Sequence, residues 1–282
     1  MMSKLRFWIV FFTLALGIPT FGGNPLFANE QEFLAHYEKT LSELQTRFFS
    51  DWPDKPSALK INDIDVFEEN GLSLTVSSIP KAEAKTAPLY LVHRAGLKTK
   101  ELDLIVLNVI DQDGWQSFLT NMGASFPEAF SDVELPDLNE KNYKSELGMH
   151  KNFKWGMAYL PLPQNKDLKS AQAVRHIRHG IRGLRLLEGA TEPQLWVQAS
   201  NDIAAYAAVA SLFEKDINRL ELHTPPTKIA DLDVVLMVSF AAKRSRVRLY
   251  AKNPKPWEIV QSRVEQFGWN KGQFQIREAM AE

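Results

Sequence analysis

Leu102, Leu104, Ile105, Val106, Leu107, Val109 and Ile110 form a nearly unbroken apolar run. A strand with one face in water alternates apolar and polar side chains. A run without alternation belongs to a strand covered on both faces, as in a parallel sheet. Parallel neighbours need long crossovers, usually helical, between them. Downstream the sequence supplies that pattern: a helix over 114–130, a strand over 155–160, a helix over 169–188 ended by Gly189 and a strand over 194–198. A helix over 202–213, a strand over 219–222, a helix over 232–243, a strand over 246–250, a helix over 257–267 and a strand over 274–276 complete it. Upstream, Phe33, Tyr37, Leu41, Leu44 and Phe48 mark an amphipathic helix over 33–49. Alternating segments 61–67 and 72–79 flank Asn70-Gly71, a hairpin turn signal, and 88–94 reads as a further strand. Residues 80–86 form a short polar loop, and 131–153 read as a polar, irregular surface excursion. The expected architecture is a doubly wound α/β fold in three αβα layers, with a mostly parallel sheet and antiparallel strands at its N-terminal edge.

The N-terminus has the three parts of a secretory signal peptide: Lys4 and Arg6, the apolar stretch 7–18, and a small residue, Ala28, at a cleavage position. The stretch is shorter than the roughly 20 residues a membrane span requires. Cleavage after Ala28 would place the protein outside the cytoplasm, secreted or periplasmic. Residues 1–28 are then signal peptide, 29–60 an N-terminal helical segment and 61–282 the main domain. No later segment is apolar enough to span a membrane. The chain has no cysteine, which excludes disulfides, thiol nucleophiles and Cys-ligated metals. A formal net charge of −1 gives no reason to expect nucleic acid as a partner.

In such a sheet, sites lie beyond the carboxyl ends of the strands. After the strand 194–198 comes Ala199-Ser200-Asn201-Asp202, and a helix begins at once. A strand, a sharp turn bearing serine and a helix make the layout of a nucleophile elbow. Ser200 stands where the nucleophile would be, although both flanking glycines of Gly-x-Ser-x-Gly are missing; Ser200 and Asp202 would equally serve as helix caps. The base would be His223, the only histidine after Ser200, with Asp231 or Asp233 as orienting acid. Asp111 and Asp113, after the first buried strand, suit a helix cap better than a Ca²⁺ site or an oxyanion hole. Arg175, Arg178, Arg182 and Arg185 make a stripe along the helix 169–188, read either as a solvated flank or as a contact for an anionic partner. No Gly-rich phosphate loop is present, and no carboxylate lies at a telling offset from His176 and His179, so no cofactor and no metal are expected. Trp115, Trp155, Trp196 and Trp257 are candidates for lining a cleft, or for core.

The order of these pieces resembles a known group. Tyr90-Leu91-Val92-His93-Arg94-Ala95-Gly96-Leu97-Lys98, Leu104-Ile105-Val106-Leu107-Asn108-Val109 with Gly114-Trp115, and His176-Ile177-Arg178 carry the resemblance. It continues through Leu195-Trp196-Val197-Gln198-Ala199, Ala207–Glu214 and Arg244–Tyr250. Together they resemble secreted bacterial α/β-hydrolases of the acetylxylan-esterase-like and dienelactone-hydrolase-like group. The resemblance implies an α/β-hydrolase fold, carboxylic ester cleavage, and an ester or acetylated saccharide as ligand. The chain departs from that pattern at the chemistry. The elbow lacks its glycines, the loop 251–256 lacks an acid, and no histidine follows the last strand. The expectation is therefore a degenerate triad with weak or no catalysis. The alternatives are an active serine esterase using Ser200, His223 and Asp231 or Asp233, or a non-catalytic binding module using the arginine-striped helix.

Overall fold

The computed structural model describes residues 26–50, 61–80, 86–163 and 170–279. Most of the expected signal peptide, the segment 51–60 and most of the loop 80–86 lie outside them. Nine strands form one sheet: β1 (Asn62–Glu69), β2 (Leu72–Pro80), β3 (Thr86–Arg94), β4 (Leu104–Ile110), β5 (Trp155–Pro161), β6 (Gln194–Ser200), β7 (Arg219–His223), β10 (Arg246–Ala251) and β11 (Phe274–Glu278). A separate two-residue hairpin pairs β8 (Lys228–Ile229) with β9 (Leu232–Asp233). The order across the large sheet is β1-β2-β3-β5-β4-β6-β7-β10-β11. The pairs among β1, β2, β3 and β5 are antiparallel, and every pair from β5 to β11 is parallel. The chain reverses between β1 and β2 at Asn70 and Gly71, both with positive φ (50° and 80°), as the turn signal predicts.

Among the described residues, seven helices flank the sheet: α1 (Glu30–Phe49), α2 (Gln112–Asn121), α3 (Glu140–Asn152), α4 (Ser170–Leu186), α5 (Asn201–Ser211), α6 (Val234–Arg244) and α7 (Glu258–Gln266). Helices α4 to α7 cover one face. Ile105, Leu107, Leu195, Val197, Leu220 and Leu249 belong to the larger core on that side. Gly180 lets α4 lie close, since a Cβ there would sit 2.2 Å from Leu160 Cδ2. Helix α1 straps the outside of this layer: Phe33 meets Phe240 of α6 at 5.1 Å and Trp269 at 5.4 Å. Its N-cap, Asn29, accepts a hydrogen bond from the Glu32 amide at 2.9 Å. No described helix is long and apolar enough to cross a membrane.

The opposite face carries a smaller core of Leu72, Leu74, Tyr90, Val92, Phe118 and Phe130, supplied by β2, β3, α2 and the turn after it. The chain departs from the sequence expectation in two places here. The helix read over 114–130 ends at Asn121, and single 3₁₀ turns follow, the last begun by Pro127. The segment read as irregular contains α3, capped by Asn139, which accepts from the Asn142 amide at 3.1 Å. Its inward stripe mixes Leu147 with Tyr143, Glu146 and His150, so the apolar periodicity that marks a helix is diluted.

Candidate functional site

The carboxyl ends of β6, β7 and β10 converge where a hydrolase would place its chemistry. Ser200 and His223 are register partners on adjacent parallel strands, so their side chains leave the same face of the sheet. His223 is partnered in turn by Tyr250 on β10. The two rings stack 2° from parallel, with centroids 4.3 Å apart. His223 Nε2 is buried without a hydrogen-bond partner. Burial holds the imidazole below its ordinary pKa, against a smaller upward pull from Glu221, which favours the neutral ring.

The turn itself is strained one residue beyond the serine. Ser200 has extended backbone (φ −124°, ψ 155°) and sits at the N-cap of α5 without making a capping hydrogen bond. Asn201 has φ +53°. Asparagine tolerates the left-handed region better than other non-glycine residues, and a strained apex between strand and helix is where an elbow holds its nucleophile. Here that apex carries a carboxamide. Thr224, immediately after β7, is also left-handed at φ +46°, a conformation rare for a β-branched residue. Its hydroxyl donates to Asn201 Oδ1 at 2.8 Å, and its amide donates to the Tyr250 carbonyl at 2.7 Å. Left-handed non-glycine residues cost about 1–3 kcal/mol each and collect at functional sites. Sequence reasoning did not single out Asn201 or Thr224; the asparagine beside the serine was the available signal.

The two candidate acids are engaged in other contacts. Asp231 is exposed and forms a bidentate pair with Arg47 of α1, at 2.5 and 2.6 Å. That hydrogen-bonded pair holds its carboxyl below the ordinary range. Asp233 is buried at the N-cap of α6 and accepts from the Leu236 amide at 3.0 Å. Asp111 caps α2 by accepting from the Gly114 amide at 2.9 Å, which sets a carboxylate where an oxyanion hole would need donors. Among the described residues no cluster of His, Asp and Glu could hold a metal ion.

The arginine stripe on α4 faces inward and is not a free surface. Arg178 and Arg182 share Glu214 Oε1 at 2.7 and 2.8 Å. Arg175 donates to the Phe48 carbonyl, and Arg185 donates to the Pro193 and Asp216 carbonyls at 3.2 and 2.9 Å. Of the tryptophans, Trp257 is core. Trp115 packs 5.2 Å from Tyr90, and Trp155 and Trp196 are half-buried on the face opposite α5.

No family model and no curated protein matches the chain. Solved structures do. A candidate acetyl xylan esterase from Bacteroides fragilis is 10% identical, with a TM-score of 0.60 over 89% of this chain and 76% of its own. A glucuronoyl esterase from Solibacter usitatus is 9% identical, with a TM-score of 0.57 over 89% of each chain. Another, from Teredinibacter turnerae, is 12% identical, with a TM-score of 0.57 over 90% of this chain and 81% of its own. At such identities the likeness is one of architecture, and it agrees with the sheet order and with the strand–turn–helix at Ser200. The chain has the α/β-hydrolase fold.

Proposed function

We propose that the chain is an exported protein of the carboxylic-ester-hydrolase type whose serine machinery is degenerate, leaving little or no turnover. One observation carries the reading: the left-handed apex of the elbow is Asn201, whose amide cannot attack an ester, and it is tied to Thr224. The engagement of Asp231 by Arg47 and of Asp233 by the α6 cap supports the same reading. The carboxyl ends of β6, β7 and β10 would hold an ester or acetylated saccharide without cleaving it. Export rests on the sequence of residues 1–28.

A second reading has one observation in its favour. Ser200 and His223 are register neighbours on one face, and a neutral histidine is the form that accepts a proton. The test is hydrolysis of a short activated acyl ester by the purified chain beside Ser200→Ala and His223→Ala. The expected result is the same background rate in all three. Turnover that falls by about 10³-fold or more in both variants, with folding intact, would overturn the degenerate reading and assign Ser200 as nucleophile and His223 as its base.

A further inference from the structure

The face of β6, β7, β10 and β11 turned away from α5, α6 and α7 has no described helix packed on it. The register puts Arg219 and Glu221 of β7 beside Arg246 and Arg248 of β10, with Arg277 of β11 on the same face. Arg219 and Arg248 therefore flank one carboxylate, Arg246 stands beside Arg219, and Arg277 lies level with Tyr250. Glu221 Oε1 accepts from Arg219 at 3.4 Å and from Arg248 at 3.3 Å. Arg219 and Arg246 are direct cross-strand partners, a like-charge pair that is destabilising in isolation. No described residue forms a hydrogen bond or ion pair with the side chain of Arg246 or Arg277, which are exposed. The chain as a whole carries a formal charge of −1, so this is a local concentration of positive charge.

The cationic patch continues into a row of flat side chains. The Arg219 guanidinium lies 3.7 Å over the Trp196 ring. Trp196 is 6.4 Å from Trp155, and Trp155 stacks on Phe153 at 4.7 Å. Phe153 is 49% exposed. From β5 to β10 the strip crosses four strand spacings, about 19 Å at ~4.8 Å each. Trp155, Arg219 and Arg246 are the first residues of their strands, so that part of the strip lies toward the amino ends, while Glu221, Arg248 and Arg277 extend toward Tyr250 and His223. A strip of arginines and aromatic rings suits an extended ligand that carries anions along a chain of hydrophobic-faced rings. Arginine's planar fork matches carboxylates, and aromatic rings pack against the C–H faces of sugars.

We propose that this strip binds an acidic polysaccharide, with carboxylates on Arg219, Arg246 and Arg248 and sugar rings against Phe153 and the Trp155–Trp196 row. Tyr250 links the strip to His223, since its hydroxyl donates to Glu221 Oε2 at 3.4 Å and its ring stacks on the imidazole, but the proposal requires no ester chemistry there. The test is affinity electrophoresis of the full chain in native gels containing polygalacturonate, with dextran and single-stranded DNA as comparators, at about 0.15 M salt. Polygalacturonate should retard the protein and dextran should not. Arg246→Glu, a change at an exposed position, should raise the apparent Kd about tenfold or more with an unchanged circular dichroism spectrum. Phe153→Ala should weaken binding several-fold without a change in charge. Absence of retardation by polygalacturonate, or retardation unchanged in Arg246→Glu, overturns the proposal. Equal binding to single-stranded DNA also overturns it, because the strip would then be a general polyanion surface.

Discussion

The two halves of the sheet solve the same packing problem differently. Around β3, β5 and β4 both faces are covered: α4 and its neighbours lie on one, and α2, α3 and the Phe118–Phe130 cluster on the other. β4 is accordingly apolar along nearly its whole length. Around β6, β7, β10 and β11 the described helices cover only the α5–α7 side. There Leu195, Val197, Leu220, Leu222, Val247 and Leu249 point inward, while Trp196, Gln198, Arg219, Glu221, Arg246 and Arg248 point out. One fold thus contains a buried strand type and a half-solvated one, side by side. Strand register in the second half rests on a single apolar face, which leaves the other face free to carry charge.

The largest expected effect tests the covered half. Phe118 of α2 is 3% exposed and meets Tyr159 of β5 at 4.3 Å between ring centroids. Phe118→Ala should cost about 3–5 kcal/mol by the cavity it leaves. Arg248→Ala, on the same face of the open half, should cost about 1 kcal/mol or less. Chemical denaturation of the two variants measures the contrast, and equal losses would break the comparison.

The second prediction concerns the layer over the covered half, which is not wholly apolar. Tyr143 Oη, Glu146 Oε2 and His150 Nε2, all on α3, are buried without hydrogen-bond partners. Burial pushes Glu146 up to about 7, against a smaller downward pull from its Asn121 hydrogen bond. It pushes His150 down to about 4. The unfolded carboxyl ionises near 4.5 and the folded one near 7, so stability falls as pH rises through that window. His150 has the opposite slope: the unfolded ring gains a proton below about 6.5 and the folded one does not until about 4, so stability falls as pH drops. The two slopes oppose each other over much of the same range. Glu146→Gln should stabilise the protein at pH 8 by about 1–3 kcal/mol. It should also expose the histidine slope, with stability rising from about pH 4 to about 6.5. A pH series of denaturation midpoints checks both features; a variant curve parallel to that of the parent chain would place Glu146 in ordinary solvent.

The smallest effect sharpens the view of the open half. Glu221, 9% exposed, is the one acid beneath the arginines among the described residues of that face. Glu221→Gln should cost about 1–2 kcal/mol at low salt. Much of that loss should disappear near 1 M salt, where the Debye length shrinks from about 10 to about 3 Å. A loss that ignores salt would mean that packing, rather than arginine repulsion, dominates at this position.

Much of this was legible in the chain. The uninterrupted apolar run at Leu102–Ile110 announced a strand buried on both faces, and the alternation of Arg246-Val247-Arg248-Leu249-Tyr250 carries the mark of a one-sided strand. The strand, turn and helix around Ser200 were visible too. Helix α3 was hidden because its inward face carries Tyr143, Glu146 and His150, which read as solvent-facing. The site was read less completely. Asp231 looked available because nothing near it in sequence pairs with it, and its partner Arg47 lies 184 residues away.

Periodicity is local and survives in a linear string, so the sequence by itself determined the strands of the large sheet and most of the helices, that the sheet is mostly parallel, and which strand is buried on both sides, but not the β8–β9 hairpin. Tertiary structure alone decided that the left-handed residue of the turn is Asn201, that Thr224 bridges to it, and that four arginines on three separate strands share the outward face of Glu221. The physical reason is that the sign of φ at a tight turn, and the pairing of charges across strands, follow from how distant elements dock, and each involves energies of only about 1–3 kcal/mol that no short window of sequence encodes.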